Sequence, residues 1–294
     1  RSGTTLLRLM LDNHPDVAIP LDTVGLWSAY AGKLGDYGNL AEPAGRERLI
    51  DDLLKEERIR LWEANLTPEI VLNALEGEGF PAVVAAFHSA YAASRGKKRW
   101  GDKDPGNMHR IQVLNAWFPD ARFIHIIRDG RDACLSHLKQ SFGYGDVLEC
   151  AAGWQEEVQW VRRMGEILGE RYLELRYEDL VKEPEPVLRR LCTFLGITYD
   201  PQMLKYHERV SRSVPEEKRH IWPLLSKPPQ HENLDRWRKE MSAGQRVAFE
   251  KRAGGMLRAM GYETYTRYPT RGTGEEVMSF ARRVLGAFWR RGKS

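Results

Sequence analysis

Cysteine is scarce in this chain, and histidine never falls into a metal-binding spacing. Three cysteines among 294 residues (Cys134, Cys150 and Cys192) are too few and too scattered for a disulfide framework or a zinc ribbon. They predict buried, reduced thiols in a cytoplasmic setting. The eight histidines include no HExxH or comparable set, so no structural metal is expected. No apolar run approaches the roughly 18–20 residues of a membrane-spanning helix, and no signal-peptide pattern is visible. Charge of one sign is lacking too, because 45 Lys and Arg against 41 Asp and Glu leave a net +4. With no RNP, KH or zinc-finger pattern, that mild excess gives no nucleic-acid partner and suits a basic cleft for a small polyanion. What remains is an ordinary globular composition, 42% hydrophobic and 29% charged, able to bury a sizeable core as one large domain or two small ones.

Apolar spacing predicts a helix over residues 3–13, with Leu6, Leu7, Met10 and Leu11 on one face. "NHPDVAIPLDT" reads as loop with a short apolar step between its prolines. Residues 44–95 carry three helical stretches, two of them opened by Pro68 and Pro81. A short strand and polar turn follow in "KKRWGDKDPGN", then a helix over 107–117. "ARFIHIIRDGRD" is the clearest buried strand, running into a helix at 132–141, and a long helix covers about 148–169. "RYLELRYEDL" supplies another strand. Strands alternating with helices predict an α/β three-layer fold, a mainly parallel central sheet flanked by helices. Residues 210–232, with four prolines, read as a long functional loop, and a helix at 242–260 closes a domain ending near 265.

Three segments carry chemistry. In "RSGTTLLRLMLD", Ser2, Gly3, Thr4 and Thr5 present consecutive N–H groups at a helix start, where an anion is favoured. The nucleotide pattern GxxxxGK[ST] is incomplete, since Thr4 stands where its lysine would be. Alone, the stretch reads equally as a capped helix start. "IIRDGRDACLSHLK" places Arg128 at the carboxyl end of a strand and Ser136 on the helix beyond, a second anion site or a surface turn. Lys103 in "GDKDPGN" points toward the same crevice or to solvent, and Tyr177 in "LRYEDL" stacks on a base or packs in the core.

Together these words resemble the sulfotransferases that use 3′-phosphoadenosine 5′-phosphosulfate (PAPS). "RSGTTLLRLMLDNHPD" resembles their 5′-phosphosulfate loop and "FIHIIRDGRDACLS" their 3′-phosphate motif. "KDP" and "RYEDLVKEPEPVLRRLCTFLGI" are similar to further signatures, so the likeness spans about residues 1–260. The resemblance implies a P-loop-like fold and metal-independent, in-line transfer of a sulfuryl group to an acceptor hydroxyl or amine, with PAP as product. It implies that Arg1 through Thr5 hold the 5′-phosphosulfate, that Arg128 and Ser136 hold the 3′-phosphate, and that Tyr177 lies near the adenine. Lys103 matches a lysine that assists the departing sulfate in tyrosylprotein sulfotransferases. Lys227 looks like a late lysine of that branch, with Trp237 at similar spacing and Ser213 a weaker match. Asp22 in "IPLDT" takes the place of a glutamate base, with His14 and His88 as fallbacks. Small molecules, carbohydrates, lipids and peptides are all acceptors within such a family.

Two other readings stand beside this one. A P-loop kinase or NTPase would turn over ATP with magnesium, and a non-catalytic protein would bind PAP without transferring sulfate. A phosphate loop is ordinarily fed by a buried strand, so the expectation is a chain that lacks its N-terminal strand before Arg1. At the other end, "TRYPTRGTGE" reads as a linker over 266–274 to an amphipathic helix at 275–291. That helix, with arginines beside its apolar face, suits a membrane surface or partner as well as its own domain.

Overall fold

The computed structural model of the protein describes residues 2–21, 23–139, 144–209, 228 and 231–265. The chain forms two compact units, one of Arg1–Arg128 with Met164–Leu234 and one of Asp129–Arg163 with Asp235–Ser294.

In the first unit, α1 (Thr4–Asp12) turns its leucines and Met10 into a core shared with Ile126, Leu173, Leu175 and Leu191. The apolar step after it is a strand, β1 (Val17–Ala18), parallel to β2 (Arg99–Trp100). Lys97 fastens this pair, donating from Nζ to the Val17 carbonyl at 2.8 Å and lying 3.5 Å from Asp12 Oδ1. β3 (Phe123–Ile127) runs parallel to β4 (Tyr172–Arg176), in register from Phe123 opposite Tyr172 to Ile127 opposite Arg176. The strands are parallel as expected, and among the described residues they stand as two two-stranded sheets.

The region after β1 is helical: α2 (Leu26–Ala31), α3 (Pro43–Lys55), α4 (Glu57–Arg60), α5 (Pro68–Asn73) and α6 (Gly79–Ser94). These helices enclose their own core around Leu49, Ile50, Leu53, Trp62, Val83 and Phe87. Residues 44–95 thus hold four helices where three were expected, because the extended backbone of Glu56 (ψ 130°) separates α4 from α3. Pro68 opens α5 behind a Thr67 cap, as read from the sequence. Pro81 is instead the third residue of α6, still within the first turn, where a missing N–H costs nothing. A 3-10 turn (Pro105–His109) and α7 (Ile111–Trp117) lead into β3.

After β4 the chain turns straight into α10 (Tyr177–Lys182) and then α11 (Pro184–Leu195). The strand read over 171–180 therefore ends at Arg176, and Tyr177 begins a helix.

The second unit holds α8 (Gly130–His137), most of α9 (Val147–Leu168), α12 (Trp237–Glu240) and α13 (Ala243–Ala259). α8 starts at Gly130 because Asp129 caps it, its carboxylate accepting from the Arg131 N–H at 2.9 Å. Arg131 is the hub of this unit. It donates to Asp129, to Glu250 Oε1 at 2.8 Å and to the Glu263 carbonyl at 2.8 Å, with its guanidinium 3.4 Å from the ring centre of Trp237. All three cysteines are buried free thiols. The linker and helix read over 266–294, and residues 210–227 with 229–230 of the long loop, lie outside the described residues.

Candidate anion-binding site

Gly3 takes a left-handed backbone (φ 88°) at the start of α1, a conformation that glycine adopts without steric cost. No side chain caps this helix, and its first internal bond runs from Leu7 N–H to the Gly3 carbonyl at 3.1 Å. The N–H groups of Thr4, Thr5 and Leu6 therefore have no partner within the helix and sit at its positive end. Ser2, Thr4 and Thr5 are half-buried around them.

The far side of Gly3 is filled by Tyr177. A Cβ built on Gly3 would lie 2.2 Å from Tyr177 Cδ2, so the glycine is what lets ring and loop meet. Arg128, the residue after β3, lays its guanidinium 4.9 Å from the centre of the same ring. Its Nη2 donates to the Asn233 carbonyl at 2.7 Å. Both Tyr177 and Arg128 are buried, so the cation-π contact has little competition from water. Loop, strand end and helix start, far apart in sequence, thus converge on one ring. Tyr177 is there because β4 lies beside β3, which puts their carboxyl ends together.

Lys103 sits in the turn after β2 and is half-buried. Its carbonyl accepts from the Thr23 hydroxyl at 3.2 Å, which ties it to the residue that follows Asp22. Asp104 strengthens the same join, accepting from Gly25 N–H at 2.9 Å and lying 3.3 Å from Arg110 Nη1. Asp104 went unremarked in the sequence beyond its place in "KDP". The Asx pattern, with Gly106 N–H donating to Oδ1 at 2.8 Å, was the available signal.

The two fallback histidines are both buried. His14 spends both ring nitrogens on the backbone, one accepting from Asp16 N–H at 3.0 Å and one 2.7 Å from the Thr198 carbonyl. His88 has no exposed surface and lies within an aromatic cage, with Trp27 at 5.4 Å, Trp62 at 5.3 Å and Trp100 stacked at 4.8 Å. Burial lowers its pKa to about 4, against a smaller opposing pull from Asp102. Arg8, one turn into α1, is also buried and donates to the Ile19 carbonyl at 2.6 Å, bracing the strand that leads toward residue 22.

Ser136 is half-buried on α8, in the second unit, and Trp237 opens α12 there against Arg131. Arg1, Asp22, Ser213 and Lys227 lie outside the described residues.

A model of the sulfotransferase family matches residues 1–201. The chain belongs to the sulfotransferase family. Among relatives of this sulfotransferase, protein-tyrosine sulfotransferase A of Caenorhabditis elegans is 27% identical over 286 residues, covering 95% of the chain and 69% of the relative. Protein-tyrosine sulfotransferase 1 of Danio rerio is 28% identical over 218 residues, with coverage of 72% and 55%. The protein-tyrosine sulfotransferase of Drosophila melanogaster is 26% identical over 290 residues, and the chain spans 52% of it. Among solved structures, the sulfotransferase domain from the curacin biosynthetic pathway superposes with a TM-score of 0.60 at 19% identity, covering 90% of the chain and 95% of that domain. The sulfotransferase domain from the Synechococcus PCC 7002 olefin synthase gives 0.58 at 22% identity, covering 89% and 91%. These likenesses fix the fold as the α/β, P-loop-like fold of sulfotransferase domains.

Proposed function

We propose that this sulfotransferase takes its sulfuryl group from PAPS and delivers it in line to a phenolic hydroxyl of the tyrosine class. One observation carries the donor assignment: the Gly3 loop and Arg128, the two segments read as anion holders, meet on the ring of Tyr177. The acceptor class follows the relatives named above, which are protein-tyrosine sulfotransferases. PAPS supplies the sulfuryl group and a polyanionic handle. The N–H groups at the start of α1, with Arg1 and Ser2, hold the 5′ end; Arg128 holds the 3′-phosphate, and Tyr177 orders both beside the adenine. Asp22 accepts the proton of the attacking hydroxyl, and Lys103 stabilises charge that grows on the departing oxygens. The join between Lys103 and Thr23 supports this pairing, since it fixes acid and base segments to one another.

Transfer of labelled sulfate from PAPS to tyrosine-containing peptides and simple phenols tests the reading. The wild-type chain labels such an acceptor, and Lys103→Ala loses about 10²–10³-fold in turnover, the usual cost of an oxyanion-type donor. Binding of PAP with no transfer to any acceptor would instead mark a non-catalytic nucleotide-binding protein.

A further inference from the structure

Half-buried Asp102 and wholly buried His88 form a polar pair that the reaction, as assigned above, leaves unused. Asp102 Oδ2 accepts from Asn107 Nδ2 at 2.7 Å, which holds the turn after β2 in shape. Its other oxygen, Oδ1, is buried and accepts no hydrogen bond among the described residues, and it faces His88 Nε2 at 3.8 Å. Neither nitrogen of His88 makes a hydrogen bond among the described residues, although the ring is wholly buried. Three tryptophans fix that ring, so it has little freedom to move toward the carboxylate. Unmatched buried donors and acceptors cost free energy that a bond between them would recover. Shortening 3.8 Å to the ordinary length of about 2.8 Å needs roughly 1 Å of travel. Asp102, with 17% of its side chain exposed against none of His88's, is the less confined partner, and the next peptide along is Lys103.

We propose that Asp102, backed by His88, is a positioning residue for Lys103, the pair closing as Lys103 engages the donor. The proposal rests on the role given to Lys103 above. Closure draws the Lys103 peptide toward the cage, while Asp104 and Thr23 hold its other side.

Two substitutions and one spectrum test it. His88→Phe keeps an aromatic ring in the cage and removes the unmatched nitrogens, so its melting temperature stays level or rises. Turnover with PAPS nevertheless falls by about 10–10²-fold, the scale of a misplacement of about 1 Å, with KM for PAPS little changed. Asp102→Asn gives a similar fall, and the double variant is no worse than either single one. Unchanged kcat in both variants, with turnover lost in Lys103→Ala, overturns the inference and leaves the function standing. Turnover near wild type in Lys103→Ala removes the role given to Lys103 and the inference with it, while absence of transfer from PAPS in the wild type removes the proposed function itself. Should His88→Phe not fold, nitrogen spectra of the histidines decide. A His88 signal that moves on adding PAPS to the wild type, and stays still in Asp102→Asn, supports closure; one unmoved in the wild type overturns it.

Discussion

Gly3 has room for nothing larger than hydrogen. A methyl there would meet the Tyr177 ring at 2.2 Å and would also have to adopt a φ of 88°, a region that costs other residues about 1–2 kcal/mol. Gly3→Ala therefore weakens PAP binding more than tenfold while the fold survives, which calorimetry against a thermal melt separates. His88 gives a second residue-scale prediction. Its pKa is depressed from 6.5 to about 4, so the fold accepts only the neutral ring. That contribution is complete above about pH 6.5 and is lost as pH falls toward 4, amounting to ~3 kcal/mol. His88→Phe should flatten the acid side of the stability profile across that window. The candidate anion-holding residues could be named from the sequence because backbone N–H groups at a helix start and an arginine at a strand end have local signatures. The Asp102–His88 pair was not, since residues 14 apart on different elements meet only through the cage.

α13 shows what a complete terminus looks like beside the open one of α1. Ser242 accepts from Gln245 N–H at 3.2 Å, and Gln245 Oε1 accepts from Ser242 N–H at 2.8 Å. Ser242→Ala should cost about 1 kcal/mol, read as a lower urea midpoint with unchanged PAP affinity. α1 lacks such a side-chain cap, so the N–H groups of its first turn are left for an anion. Long periodic elements such as α9 and α13 were readable almost to their ends. β1 was not, because two residues give no period and its pairing with β2 is set by a partner about 80 residues away. Tyr177 was read within a strand over 171–180, whereas the backbone turns helical there and Glu178 and Asp179 fall in the first turn, where acids are favoured.

For the molecule as a whole, the two units were the least legible feature. α9 carries one unbroken amphipathic period through residues 163 and 164, where the division falls. Within the second unit, Arg131 satisfies two buried carboxylates and stacks on Trp237. Arg131→Met leaves Asp129 and Glu250 buried without their cation and should cost about 3–5 kcal/mol in a chemical melt. The family, by contrast, was legible from the chain because its two phosphate motifs stand 120-odd residues apart in the right order. On the function proposed above, this molecule reads the 3′-phosphate of its donor through Arg128. Paired calorimetric titrations of PAP and of 5′-AMP, in wild type and in Arg128→Ala, test it most directly. PAP should bind the wild type at least tenfold more tightly than 5′-AMP, and the gap should vanish in the variant. Equal affinity of the wild type for both nucleotides would contradict it.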